Sequence, residues 1–145
     1  MALMSQRPAQ DFSTRVSEAS EAGEKFVELF YDTVDKRRQQ LTGFYYEGSL
    51  LVWNGNPYSG VQDISVFYQS LPNSQHTIEC FDCQPVLDSQ GTTTVMVNCE
   101  GVVSFDVQPG NQHNEESFSQ NFILVKQGDV WKVSSDCFRF LDALT

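Results

Sequence analysis

The sequence predicts an α+β fold, a curved antiparallel sheet with helices packed on one face. Three observations carry that expectation. One apolar stripe at helical spacing runs from Phe12 to Val34. Long strand regions fill the chain after Pro72. The closing pair of strands, Ser117–Gln127 and Val130–Leu141, meets at Gly128-Asp129 and is apolar on both faces. Helices first and strands afterwards is the α+β pattern. A sheet apolar on both faces needs two covers. The helices supply one, and the missing second cover is the main clue to function.

In chain order, Met1–Gln10 reads as a disordered lead and 11–145 as one domain. Asp11 is a fair N-cap, because its short side chain can accept from a first-turn N–H. Phe12, Val16, Ala19, Gly23, Phe26, Phe30 and Val34 recur at threes and fours, one face of a helix ending near Val34. Glu18, Glu21 and Glu24 lie toward its start, and Lys36, Arg37 and Arg38 follow its end, which suits the helix dipole. Arg37-Arg38 reads as a solvated helix end rather than a nuclear localisation fragment. A second short helix over Lys36–Thr42 places Leu41 and Phe44 under the first. Ser49–Trp53 is a short strand. Asn54-Gly55 is a hairpin signal, since both central residues of such a turn want positive φ. Pro57 limits the returning strand to an edge. Ser59-Gly60 opens a third helix that buries Val61, Ile64, Phe67, Tyr68 and Leu71, and Pro72 stops it. Strands Gln75–Leu87 and Thr92–Phe105 turn at Ser89-Gln90-Gly91. The polar loop Asp106–Glu116 leads to the closing pair.

Alternation along the strands assigns two faces. Phe81, Cys83, Val95, Val97, Cys99, Val103 and Phe105 face the helices with Phe118, Phe122, Leu124, Phe138 and Phe140. Ile78, Cys80, Asp82 and Gln84 face outward with Met96, Asn98, Glu100, Asn121, Ile123, Val125, Val133, Cys137 and Arg139. One bulge inverts part of such an assignment. The outward set mixes aliphatic side chains with few charges, the composition of a partner surface.

Composition narrows the function class. A chain of 145 residues supports a real core, and Phe 11, Tyr 5 and Trp 2 supply large side chains for it. A net charge of −10 argues against binding a phosphate backbone, so no direct nucleic-acid partner is expected. Met1–Gln10 lacks the apolar core of a signal peptide, and no later run is long enough to span a bilayer. No Asn-x-Ser/Thr sequon occurs. The expectation is a soluble intracellular chain with reduced cysteines and no membrane partner.

Little points to chemistry. Cys80 and Cys83 form C-x-x-C, but residues three apart on a strand face opposite ways and cannot converge on a metal or a redox partner. His76 and His113 fall in expected loops as surface histidines without an acid partner. Asp136 shares parity with Phe138 and is expected as a strand-end carboxylate bonded to backbone rather than a catalytic base. No cofactor and no metal are expected.

The ordered motifs Tyr31 to Arg38 (YDTVDKRR), Leu51 to Asn56 (LVWNGN), Asp82 to Val86 (DCQPV), Gln120 to Leu124 (QNFIL) and Ser135 to Phe140 (SDCFRF) resemble the nuclear transport factor 2-related export proteins. That family is the small subunit of the heterodimeric messenger RNA export receptor, and the resemblance covers roughly Phe12 to Asp142. It implies a nuclear transport factor 2-like cone of three helices against a strongly curved sheet. It also implies sheet-to-sheet pairing with a similar domain in the large export subunit, indirect contact with nuclear pore proteins, shuttling between nucleus and cytoplasm, and no enzymatic activity. A homodimer is possible in isolation. Within the outward face the resemblance singles out Asp82 and Arg139 as charged pairing points, the arginine because its planar fork suits a carboxylate. Two alternatives remain. One is a homodimeric carrier for Ran-GDP, although where that carrier has Trp-Glu-Gly this chain has Trp53-Asn54-Gly55. The other is a small-molecule isomerase or dehydratase of the same fold, although Val52-Trp53-Asn54 offers no carboxylate where the isomerases place their general base.

Overall fold

The computed structural model describes residues 7–87, 93–106 and 115–141. Helix α1 runs over Arg7–Lys36, so Asp11 lies inside it rather than capping it. A 3-10 helix follows at Arg38–Gly43 and buries Leu41. Then come β1 (Tyr45–Trp53), β2 (Asn56–Ser59), α2 (Val61–Ser70), β3 (Ser74–Leu87), β4 (Thr93–Phe105), β5 (Glu115–Gln127) and β6 (Val130–Phe140). The expected turn at Ser89-Gln90-Gly91, His113 and most of the expected polar loop lie outside the described residues.

The six strands form one sheet in the order β2-β1-β6-β5-β4-β3. All ladders are antiparallel except β1 against β6, which is parallel. The hairpin between β1 and β2 takes positive φ at both Asn54 and Gly55. Strand β2, which carries Pro57, lies at one edge, where a missing N–H costs no ladder bond.

Two bulges decide which side chains face the helices. In β3, Ile78 pairs with Gly101 and Cys80 with Glu100, leaving Glu79 over. In β6, Ser135 pairs with Ile123 and Val133 with Leu124, leaving Ser134 over. Each extra residue reverses parity on its far side. Val133 is therefore fully buried in the core rather than outward, and Trp131 follows it. Ile78 also turns inward and packs against the core. The sequence assignment holds from Cys80 to Gln84 and from Ser135 to Phe140, beyond the bulges.

The core is largely aromatic. Phe26 and Phe30 of α1 meet Phe122 of β5 edge-on at 4.8 and 4.9 Å. Trp53 of β1 stacks on Phe138 of β6 at 3.8 Å. The helical stripe is only partly used: Ala19, Phe26, Phe30 and Val34 are buried, but Phe12 is 53% exposed.

Arg38 is a tie rather than a solvated helix end. It donates to the carbonyls of Val34, Tyr68, Leu71 and Pro72 and to Ser74 Oγ, joining α1, the end of α2 and the start of β3. Carbonyls left over at a helix C-terminus need such donors.

Gly23 is a place of close approach. A Cβ built there would overlap Cys83 Sγ and crowd Cys83 Cβ. Gly23→Ala should cost about 1–3 kcal/mol by overpacking. In Cys83→Ala the same change should cost measurably less, because the sulfur is gone. Urea melts of the four proteins in this double-mutant cycle check the coupling, and additive losses would mean that α1 does not rest on Cys83.

Candidate functional site

Two places carry enough polar or unpartnered structure to act: the interior of the cone and the outer face of the sheet. The interior centres on Asp136 of β6, which is fully buried. Its Oδ2 accepts the hydroxyls of Tyr45 at 2.8 Å and Tyr68 at 2.7 Å, and its Oδ1 accepts from Gln120 Nε2 at 2.8 Å. Tyr31 donates to Gln120 Oε1 at 2.8 Å. The carboxylate is thus held by three side chains, not by backbone as the sequence suggested. Burial pushes the carboxyl up to about 6 against the pull of its three donors, and burial also raises the three tyrosines well above their ordinary value. The sequence signal for this network was present: a buried tyrosine needs a partner for its hydroxyl, and Asp136 has inward parity.

A second polar cluster lies at the end of α1. His76 is in β3, not in a loop, and its side chain is only 5% exposed. Asp35 takes His76 Nδ1 at 2.6 Å, the His76 backbone N–H at 2.8 Å and Ser74 Oγ at 2.7 Å. Burial raises the Asp35 carboxyl, but His76 and Ser74 outweigh burial and hold it below its ordinary value. The residue types are those of a serine hydrolase, but the order is wrong. Ser74 donates to the aspartate and receives Arg38, so its proton is not aimed at the imidazole.

The outer face is organised in rows across the strands. Gln84, Met96, Ile123, Ser135 and Leu50 form one row. Asp82, Asn98, Asn121, Cys137 and Val52 form the next. Glu100, Ser119 and Arg139 form a third, and Val125 stands opposite Lys132. Of the expected outward residues, Asp82, Met96, Asn98, Asn121, Ile123, Val125, Cys137 and Arg139 therefore share this face, whereas Ile78 and Val133 do not. Among the described residues neither Asp82 nor Arg139 joins an ion pair. The sequence reading missed Leu50 and Val52, 54% and 37% exposed, which extend the apolar area onto β1. Alternation in Ser49–Trp53 was the available signal: Leu51 and Trp53 are buried, so Leu50 and Val52 point the other way. Cys80 faces outward opposite Glu100, and Cys83 turns inward toward Gly23. Among the described residues no group of three His, Cys, Asp or Glu side chains is placed to hold a metal ion.

Comparison with known proteins matches residues 22–140 to the nuclear transport factor 2 (NTF2) domain. The human NTF2-related export protein 2 is 44% identical over 138 residues, 91% of this chain and 94% of that protein. Among solved structures, nuclear transport factor 2 from Cryptosporidium parvum superposes with a TM-score of 0.74 at 28% identity, over 86% of this chain and 95% of that one. The Chaetomium thermophilum Mex67 NTF2-like domain complexed with Mtr2 superposes with a TM-score of 0.71 at 15% identity, over 85% and 98%, a likeness of fold.

The raised carboxyl of Asp136 carries a pH signature. A carboxyl near 6 in the fold and 3.8 when unfolded favours the protonated form. Its contribution to stability is complete below about pH 3.8 and is lost as pH rises through about 6, a span worth about 3 kcal/mol. Asp136→Asn keeps one oxygen for the two tyrosines and removes the titration. The stability gap between wild type and this variant should therefore narrow by up to about 3 kcal/mol from pH 4 to pH 7 in denaturant melts. A gap that does not change with pH contradicts the assignment.

Proposed function

The chain belongs to the family of NTF2-related export proteins, within the nuclear transport factor 2 domain, and we propose that it is a non-enzymatic subunit of a messenger RNA nuclear export receptor. In this reading the outer face of its sheet buries against a domain of the same fold in the large export subunit. The large subunit contacts cargo, and this chain stabilises it and supports its passage through the nuclear pore, shuttling between nucleus and cytoplasm.

The observation that carries the reading is the outer face itself. Leu50, Val52, Met96, Ile123 and Val125 lie on the side away from the helix-packed core. Left wet, such area forfeits roughly 25 cal/mol per Å². Six strands about 4.8 Å apart and about ten residues long present roughly 900 Å². A standard interface needs about 800 Å² per partner, so the face is large enough to hold a stable subunit. The relatives' name, export protein, and the structural neighbour in which the Mex67 NTF2-like domain is complexed with Mtr2 support a partner of the same fold. The interior supports a binding role. Asp136, the best-placed base in the cone, already accepts three hydrogen bonds, and aromatic rings pack around it. A general base needs an unoccupied lone pair aimed at the substrate.

The charges on this face select the partner rather than supply most of the affinity. Arg139 meets a carboxylate of the other subunit, and Asp82 meets a basic group. Arg139→Asp should weaken the complex by about 2–5 kcal/mol in a two-protein titration with the large export subunit, leaving the melt of the isolated chain unchanged. A charge reversal on the partner should restore part of the loss. Wild-type affinity in both Arg139→Asp and Asp82→Arg would place the contact elsewhere.

Ran-GDP is not expected to bind usefully. Asn54, standing where the import carrier has its acid, has no charge to offer. Its Oδ1 accepts the Phe140 N–H at 3.0 Å, and its N–H donates to the Phe138 carbonyl at 2.9 Å. Loss of a charge-assisted acceptor costs about 1.5–3 kcal/mol. Calorimetry at physiological salt decides the point, and micromolar binding would overturn it.

A further inference from the structure

The sheet has an open edge at β3, and a groove borders it on the helix-facing side. Strand β3 ends the sheet, and among the described residues no strand pairs with its far side. Between that edge and α1 runs a groove of about 930 Å³. Its floor is apolar and comes from both elements: Val27 and Tyr31 of α1, Ile78 and Phe81 of β3. Phe81 is 44% exposed although it lies on the helix-facing side, opposite the buried Cys99. Its charged lining is Glu24, Glu28, Asp32, Asp35 and Lys36 at α1 and Glu79 of the β3 bulge, and Lys36 is paired with Asp32, so the balance stays acidic.

Backbone direction shows what the edge offers. Asp35 accepts the His76 N–H, so His76 points its backbone groups away from β4. In an antiparallel strand, residues on one face direct their N–H and C=O toward one edge. Ile78 and Phe81 share the face of His76 and so present N–H and C=O to the groove. Such an edge accepts an added strand.

Charge says which strand. Glu24 and Glu28 stand four apart on a helix, an arrangement that repels unless something neutralises it. Among the described residues neither is in an ion pair. They are separated by about 6 Å along the helix. Alternate residues of a strand are about 6.6 Å apart on one face. Basic side chains two apart on an added strand match that spacing.

The geometry points to a second docking site in which an extended segment of another protein, basic at alternate positions, adds to the free edge of β3 beneath α1, its basic side chains crossing the apolar floor on their aliphatic stems. The groove lies on the helix-facing side, so its side-chain contacts do not use Arg139 or the rows of the outer face. A nucleic acid is excluded as the occupant because the groove is acidic.

The test uses the full chain and a fluorescein-labelled peptide alternating arginine and valine, at physiological salt. Saturable binding by anisotropy is expected, with amide shift changes in NMR spectra confined to Ile78–Cys83 and Glu24–Asp32. Glu24→Gln with Glu28→Gln, both exposed, should weaken binding about tenfold. The same peptide N-methylated at alternate amides should lose binding, because it cannot pair with the edge. Arg139→Asp should bind the peptide as wild type does. Absence of saturable binding, equal affinity of the N-methylated peptide, an unaffected Glu24/Glu28 double variant, loss of binding in Arg139→Asp, or shift changes scattered over the acidic surface would each overturn the proposal.

Discussion

Six strands make a sheet with two faces, and this chain has helices enough for one of them. The rest of the structure follows from that shortage. On the covered side most large inward residues find a neighbour, and phenylalanines of α1, β5 and β6 make a continuous aromatic layer. On the other side the strands still carry aliphatic residues at alternate positions, because a strand in the middle of a sheet is stabilised by its neighbours whichever way it faces. The outcome is a folded chain whose surface includes part of a second core. In the proposed function its other half comes from another molecule.

Filling a cone with tyrosines imposes a second requirement, because each buried hydroxyl must be satisfied. Asp136 answers for Tyr45 and Tyr68 directly and for Tyr31 through Gln120. A desolvated carboxylate is costly, and three donors offset part of that cost. The same geometry that makes the network a good structural element makes it a poor catalytic one. Arg38 and Asp35 play comparable parts at the end of α1, tying it to the last carbonyls of α2 and to the first residues of β3.

Local chemistry was legible in the sequence. Asn54-Gly55 specified its hairpin, Pro57 its edge and Pro72 the end of α2, because each acts through its own φ or its own missing N–H. Element bounds in the strands were read to within a few residues. Facing was legible only as far as parity runs unbroken. Glu79 and Ser134 carry no mark of a bulge, and those two residues moved Ile78 and Val133 from the outer face to the inner one. Long-range partners were not legible. His76 meets Asp35 across 41 positions, and Tyr45 meets Asp136 across 91, so neither pairing leaves a local pattern. The parallel ladder between β1 and β6 hid for the same reason, and with it the place of Leu50 and Val52 beside the predicted outer residues.

Cys137 offers the most direct measurement of the central claim, that the outer face is an interface. It sits near the middle of that face, opposite Asn121 and Val52, and is exposed in the isolated chain. Cys99 lies on the inner side, buried, with its thiol pushed up to about 12 chiefly by burial, and serves as an unreactive reference in the same molecule. The rate of iodoacetamide alkylation at each cysteine can be followed by mass spectrometry with and without the large export subunit. The account predicts that saturating partner strongly protects Cys137 while Cys99 stays unmodified throughout. A Cys137 that reacts as fast in the complex as in the free chain would contradict it.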